Sequence, residues 1–411
     1  VADSMKPKLL YRILPYVACL LACIAVNLIY FPAATVFPDE QRILASAVKL
    51  AATGEFWVGT DRAWEMPGAA LFFAPWVWML GLPKAIIAIR FAQTALLLIQ
   101  CGLIASITRR VARGEAAAFI ATCVTAIYPF FVFYQGLLLS ETLFNTMLLG
   151  GIAALYAWQD RGARIDKMLA LASLCFAAAT MTKATLTVLP PVLLALSGWI
   201  ATANWRRAIT TLLTASCLYA ALLSPWWIRN AAVLGHFVPF TTSSAQNLYL
   251  GNNPANTDAG IDWAHDVEPD VASRLLAIPN EVERQRAFSD RATSYIKAHP
   301  DLFVEAAVMK LVRLWNIVPN TAEFRGVYAL ISALSFGPVL LLALIGAVWQ
   351  WRQWRRFAPL LILIGYFTFV HVVTIASLRY RLPLEPLLIV LAATTVGALL
   401  ERMRPFPPSA T

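Results

Sequence analysis

The chain of 411 residues is 59% hydrophobic and only 14% charged, with mean hydropathy +0.65, whereas a soluble globular protein carries about 25% charged residues. Too little polar surface is left to coat a soluble particle, so a soluble enzyme and a disordered chain are both excluded. The formal charge of +10, from 33 basic and 23 acidic residues, suits either nucleic acid or the cytoplasmic loops of a multi-pass membrane protein, and the placement of the charges decides.

The four residues before Met5, Val1 to Ser4, read as an added remnant outside the fold. Ile13 to Pro38 carries no charge, exceeds a signal-peptide core and lacks a cleavage pattern, so it is read as a retained first span. A helix needs about 20 apolar residues to cross the hydrocarbon. Runs of this kind lie near 10–31, 85–107, 115–134, 138–158, 167–182, 184–202, 208–227, 327–350, 358–377 and 383–401, which predicts an all-α polytopic membrane protein of about ten spans.

One further run, Met66 to Pro83, is long enough to cross but contains Pro67 and Pro75. If it does not cross, every short basic cluster falls on one side: Lys6, Lys8 and Arg12; Arg109, Arg110 and Arg113; Arg161, Arg164 and Lys167; Arg206 and Arg207; Arg352, Arg355 and Arg356; Arg402 and Arg404. That is what the positive-inside rule asks, so 66–83 reads as an interfacial or re-entrant segment at the outer face. The expected organisation is then a core over 5–227 with a first periplasmic loop at 32–84, a long periplasmic loop at 228–325, and C-terminal spans with a short cytoplasmic tail over 326–411. Both termini are cytoplasmic on this reading. The long loop starts with turns (Gly251-Asn252-Asn253-Pro254) and continues into helices at about 281–298 and 300–316, interrupted at His299-Pro300.

The six cysteines, Cys19, Cys23, Cys101, Cys123, Cys175 and Cys217, all sit in apolar runs without metal or redox spacing and read as packing residues. The short cytoplasmic loops hold no Gly-rich phosphate loop after a predicted strand. No nucleotide cofactor is therefore expected, and an activated substrate would reach the outer loops on a lipid carrier.

Asp39 and Glu40 follow directly on the first span, where a carboxylate pair can deprotonate a hydroxyl or bind a divalent ion. Arg42, one helical turn beyond Asp39, could reach a phosphate. The competing reading is a helix that starts after Pro38 with acids at its positive end.

At this point the sequence resembles a family. The acidic pair after the first span, followed by Ala45, Leu50 and Gly54 and a proline-containing run, is similar to the bacterial GT-C glycosyltransferases. The branch is that of the protein O-mannosyltransferases and the lipid A aminoarabinose transferases. Ser140-Glu141-Thr142-Leu143, Trp227-Ile228-Arg229-Asn230, Gly235-His236-Phe237-Val238-Pro239, Gly251-Asn252-Asn253-Pro254 and Leu378-Arg379-Tyr380-Arg381-Leu382-Pro383 fit the same branch in order.

The resemblance implies inverting transfer of a sugar from a polyprenyl phosphate to a lipid, glycan or protein acceptor at the periplasmic face of a bacterial inner membrane. It makes Asp39 the general base or a metal-orienting carboxylate, with Glu40 beside it. Glu65, in Glu65-Met66-Pro67-Gly68, is similar to an acidic-lysine-proline-proline segment and becomes the second carboxylate candidate, although Met66 and Gly68 depart from the pattern. Such a reaction needs a base at the acceptor hydroxyl and cations at the departing phosphate. Arg379, Arg381, Lys183 and Arg229 all lie at outer ends of spans and are candidate phosphate ligands; snorkelling to headgroups is the alternative.

Glu141, just inside a span, is a candidate by its position, as is Tyr380 between the two arginines. Asp262, His265, Asp266 and Glu268 read as solvated surface, His371 as a packed histidine, and Trp349 to Trp354 as an interfacial belt. Two other classes share some of these features: a transporter or flippase of lipid-linked sugars, and a lipid-linked glycan polymerase or ligase. Acids gathered at one face favour interfacial chemistry over passage, since ion-coupled transporters place them near the midplane. No nucleic-acid partner is expected.

Overall fold

The computed structural model describes residues 2–31, 35–320 and 324–403, with side chains from Arg12 onward. Lys6, Lys8 and Arg404, and the rest of the tail, therefore lie outside the described side chains. All regular structure among the described residues is helical, apart from one isolated antiparallel bridge between Val58 and Asp61.

The first long helix, α1 (Ala2–Ile29), leads to an outer segment with α2 (Pro38–Thr53) and α3 (Gly68–Leu80). Pro38 is preset for a first helical turn, and α2 stops at Gly54, whose φ of 73° lies in the left-handed region. At about 1.5 Å per residue the 13 residues of α3 reach about 20 Å, short of a hydrocarbon core of about 30 Å. The proline-containing run is thus a short helix packed on α2 and α4 (Leu82–Ala112).

The run expected as one span at 115–134 is broken into α5 (Glu115–Ala126) and α6 (Pro129–Tyr134). Pro129 lacks an N–H and ends the first of these. The remaining helices are α7 (Glu141–Asp160), α8 (Lys167–Thr182), α9 (Leu189–Thr202), α10 (Trp205–Leu234), α11 (Ser244–Leu250), α12 (Pro269–Leu276), α13 (Glu281–Ala298), α14 (Pro300–Trp315), α15 (Val327–Trp349), α16 (Trp354–Val373), α17 (Leu378–Arg381) and α18 (Glu385–Met403). Each of the other nine expected spans overlaps one helix, yet among the described residues only six are long and apolar enough to cross alone: α1, α4, α10, α15, the stretch ending in α16, and α18. The shorter ones are packed between neighbours. Gly151 of α7, for instance, lies so close to Phe176 of α8 that a Cβ would come within 2.7 Å of its ring, the close approach small residues allow in membranes.

The basic clusters gather at one end of this bundle. Arg12 and Arg109 pair with Glu115, Arg110 pairs with Asp160 at 2.9 Å, Arg207 donates to the Gly162 carbonyl at 3.1 Å, and Arg402 lies over Trp349. At the opposite end, residues 135–140 run irregularly through the protein interior. Non-helical backbone at such depth needs protein partners. Gln93 Nε2 donates to the carbonyls of Gln135 (3.0 Å) and Leu137 (2.7 Å), and Arg90 Nε to that of Gly136 (2.8 Å).

Candidate active site

Six charged side chains from five separate segments meet beside this irregular stretch. Asp39 lies in the first turn of α2, and Arg42 Nη1 reaches its Oδ1 at 2.9 Å. The Nε of Arg42 donates to Glu65 Oε1 at 2.6 Å. From α17, Arg379 donates through Nη1 to Asp39 Oδ2 and through Nε to Glu141 Oε1. Lys183, just past α8, donates to that same Glu141 oxygen at 2.8 Å. The order Glu65, Arg42, Asp39, Arg379, Glu141, Lys183 alternates in sign and sums to zero, three charges against three.

Exposure grades along it. The Glu141 side chain is 2% exposed and Lys183 18%, whereas Asp39 and Arg42 are 33% and 38% exposed, so the cluster has a closed end and an open one. Burial pushes the Asp39 carboxyl up, but Arg379 and then Arg42 overcome it and hold the group below the usual carboxylate range. For Glu65 burial prevails over Arg42 and the carboxyl is raised. Behind Glu141 a small cavity is lined by Gln100, Tyr134, Thr142 and Asn145. Glu141 Oε2 and Asn145 Oδ1 have no hydrogen-bond partner among the described residues.

Of the residues singled out in the sequence, Asp39, Arg42, Glu65, Glu141, Lys183 and Arg379 are brought together, with the partly buried Tyr380 next to Arg379 stacked on His371 at 4.7 Å. Glu40 departs from the expectation. Successive residues on a helix point about 100° apart, and Glu40 turns inward, fully buried. Its Oε2 accepts from the amides of Val36 (2.6 Å) and Phe37 (2.9 Å), its Oε1 from that of Leu138 (2.7 Å). Glu40→Ala is expected to destabilise the protein by about 3 kcal/mol, because buried donors left unpaired cost about 1–3 kcal/mol each. The check is thermal unfolding of the purified protein; an unchanged midpoint with lost activity would return Glu40 to the chemistry.

Arg381 and Arg229 also lie outside the cluster. Arg381 points away from Arg379, pairs with Glu385 at 2.7 Å with both side chains fully buried, and covers the Phe336 ring. Arg229 donates to the carbonyls of Arg62 (2.6 Å) and Phe56 (2.7 Å), fixing the loop before Glu65. Sequence reading did not single out Glu281, at the start of α13, which accepts from the amides of Arg62 (2.8 Å) and Ala63 (3.2 Å) and from Thr242 Oγ1 (2.9 Å). With the Arg284–Asp61 pair, it ties the loop carrying Glu65 to the long outer segment. His265 is exposed beside Asp262, and His371 is buried with Nδ1 3.2 Å from the Ile375 carbonyl oxygen.

A divalent ion at Asp39 has no ready set of ligands. Among the described residues no three His, Cys, Asp or Glu side chains form a metal-ligand group. The position between Asp39 and Glu65 is taken by the Arg42 guanidinium.

No family model and no curated sequence matches the chain. Solved structures do. The oligosaccharyltransferase AglB from Archaeoglobus fulgidus, in complex with an inhibitory peptide and a dolichol-phosphate, aligns with a TM-score of 0.58 at 12% identity over 94% of this chain and 50% of that one. Its apo form aligns with a TM-score of 0.60 at 11% identity, with the same coverage of each chain. ArnT from Cupriavidus metallidurans bound to undecaprenyl phosphate aligns with a TM-score of 0.44 at 14% identity, over 95% of this chain and 77% of that one. The chain shares the fold of these AglB structures. It spans about half the length of the AglB structures it matches.

Proposed function

We propose that the chain is a membrane-embedded inverting glycosyltransferase, which moves a sugar from a polyprenyl-phosphate donor to a lipid, glycan or protein acceptor at the periplasmic face of a bacterial inner membrane. The observation that carries this is the neutral, alternating cluster at the end of the bundle opposite the basic loops. With the basic loops taken as cytoplasmic, this reading has the cluster at the outer face, within reach of a lipid phosphate.

In this reading the donor phosphate takes Arg379 and Lys183 as its cations, and Glu141 holds both in place from behind. As Arg379 turns to the phosphate, Asp39 loses one of the cations that depress it and becomes a stronger base. Asp39 then accepts the proton of the acceptor hydroxyl, whose oxygen forms a bond to the anomeric carbon. The bond from that carbon to the phosphate oxygen breaks, and its electron pair leaves with the lipid phosphate. Glu65 keeps Arg42 beside Asp39. No step here is routed through a metal ion.

The test is mass spectrometry of lipids and glycans from cells with and without the gene. A sugar-bearing species lost with the gene and restored by the wild-type chain supports the assignment; identical profiles, with the protein present in the membrane, overturn it.

The acid side of the pH dependence follows from the depressed Asp39. A group lowered in the folded protein stays ionised to lower pH, so kcat/KM is expected to fall only below the ordinary carboxylate range. Arg42→Gln removes one of its cations and is expected to move that fall to higher pH. A shift to lower pH, or none, would remove Asp39 as the titrating base.

A further inference from the structure

α14 is built the wrong way round for a helix between protein and water. Towards the protein it presents Lys310, which is fully buried and donates to Asn252 Oδ1 at 3.0 Å, and Leu314 one turn on. Away from it, Val304, Val308, Leu311 and Val312 are 61, 57, 41 and 63% exposed. These positions fall on one helical stripe. In an aqueous loop the pattern would be reversed, with the aliphatic side chains inside and the ammonium out.

Two features say what covers the stripe. α14 packs along α16, part of a span-length apolar stretch, and against α17. Near the same end of α16, Phe369 is 66% exposed, so the stripe continues the apolar outer surface of that span-length stretch. The acids of α14, Asp301 and Glu305, are confined to its first two turns, Arg313 in its last turn pairs with exposed Asp258 at 3.7 Å, and the partly buried Trp315 ends it. A helix with charges at both ends and an aliphatic stripe between them lies along the interface, the charges at headgroup level and the stripe against acyl chains.

We propose that α14 lies in the membrane leaflet on the charged site's side, with Val304, Val308, Leu311 and Val312 against acyl chains, although it belongs to the segment expected to be wholly exterior. The next residue after α14, Asn316, accepts through its carbonyl from Arg381 Nη1, and Arg381 shares α17 with Arg379. The depth of α14 in the leaflet therefore sets the depth of Arg379, a consequence that rests on the function proposed above.

The test uses the full chain in lipid nanodiscs, with the exposed Cys217 replaced by serine and single cysteines carrying an environment-sensitive fluorophore. Val308→Cys is compared with Phe369→Cys, on α16, and with Glu283→Cys, exposed on α13. The label at 308 is expected to lose emission to doxyl-labelled lipids as strongly as at 369, and to ignore aqueous iodide. Quenching by iodide as at 283 overturns the proposal, and so does protection from both quenchers, which would mean that protein covers the stripe. Val304→Cys repeats the measurement if the first variant fails to fold. Binding of undecaprenyl phosphate by the wild-type chain is measured alongside. Absence of that binding together with lipid quenching would remove the phosphate role of Arg379 and leave the placement of α14 standing.

Discussion

Asp39→Asn is expected to lower sugar transfer about 10³-fold, inside the range of about 10²–10⁴ that a positioned base contributes, while the protein still folds and inserts. Asparagine keeps the shape and one acceptor oxygen for Arg379 or Arg42, but it cannot take a proton from the acceptor. The loss should therefore appear in kcat, with binding of the lipid phosphate retained or improved, since one anion that competes for Arg379 is gone. Turnover by the purified variant and its melting midpoint, measured side by side, check this. Wild-type turnover would take Asp39 out of the reaction.

Replacing Arg379 should have a second large effect, of a different kind. Arg379→Ala removes a cation from the departing phosphate, worth about 10²–10³ in rate by analogy with a lost transition-state donor. It also leaves the buried Glu141 with Lys183 alone, and breaking a buried pair from one side costs about 3–5 kcal/mol. Two further variants separate these effects. Arg379→Lys keeps the charge but not the planar fork that bridges Asp39 and Glu141, so it should fold and bind lipid phosphate more weakly. The second, in which Glu141→Gln and Lys183→Met accompany Arg379→Gln, removes all three buried charges and should recover stability without recovering activity. Recovery of both together would make these charges structural only.

Much of this was legible in the sequence because lipid imposes a simple demand on it. The charge-free runs located the six helices long and apolar enough to cross alone, and Arg12, Arg109, Arg110, Arg207 and Arg402 of the basic clusters find their partners at one end of the bundle. The break in the third run was also visible, since Pro129 cannot continue a helix, but a run without charges reads as one span unless that proline is weighed. Asp39 and Arg42 were legible as one turn of a helix that begins at Pro38. The same reasoning turns Glu40 about 100° away from Asp39, and read as a helix rather than as an acidic pair, the sequence would have set the two apart. Arg379 and Arg381 diverge for a related reason, two residues apart on a single turn. What no local pattern carried is the meeting of Glu141, Lys183 and Arg379, which are distant in the chain and joined only by packing. Glu281 was invisible for the same reason: beside Asn280 it reads as an ordinary helix start.

The balance of three anions against three cations has a consequence for turnover as a whole. A donor with its sugar in place is a phosphodiester with one negative charge, whereas the released lipid phosphate is a monoester with about two near neutral pH. In the proposed reaction Asp39 gains a proton at the moment the phosphate gains its extra charge. Donor-bound and product-bound states then have the same total charge, so the step needs no counter-ion to enter from solvent through a pocket whose inner end is closed. Discharge is deferred: the proton on Asp39, at the open end, can leave to water or pass to the phosphate and loosen its hold on Arg379. The exchange of lipid carriers, more than the chemistry, would then be the event that salt and pH govern.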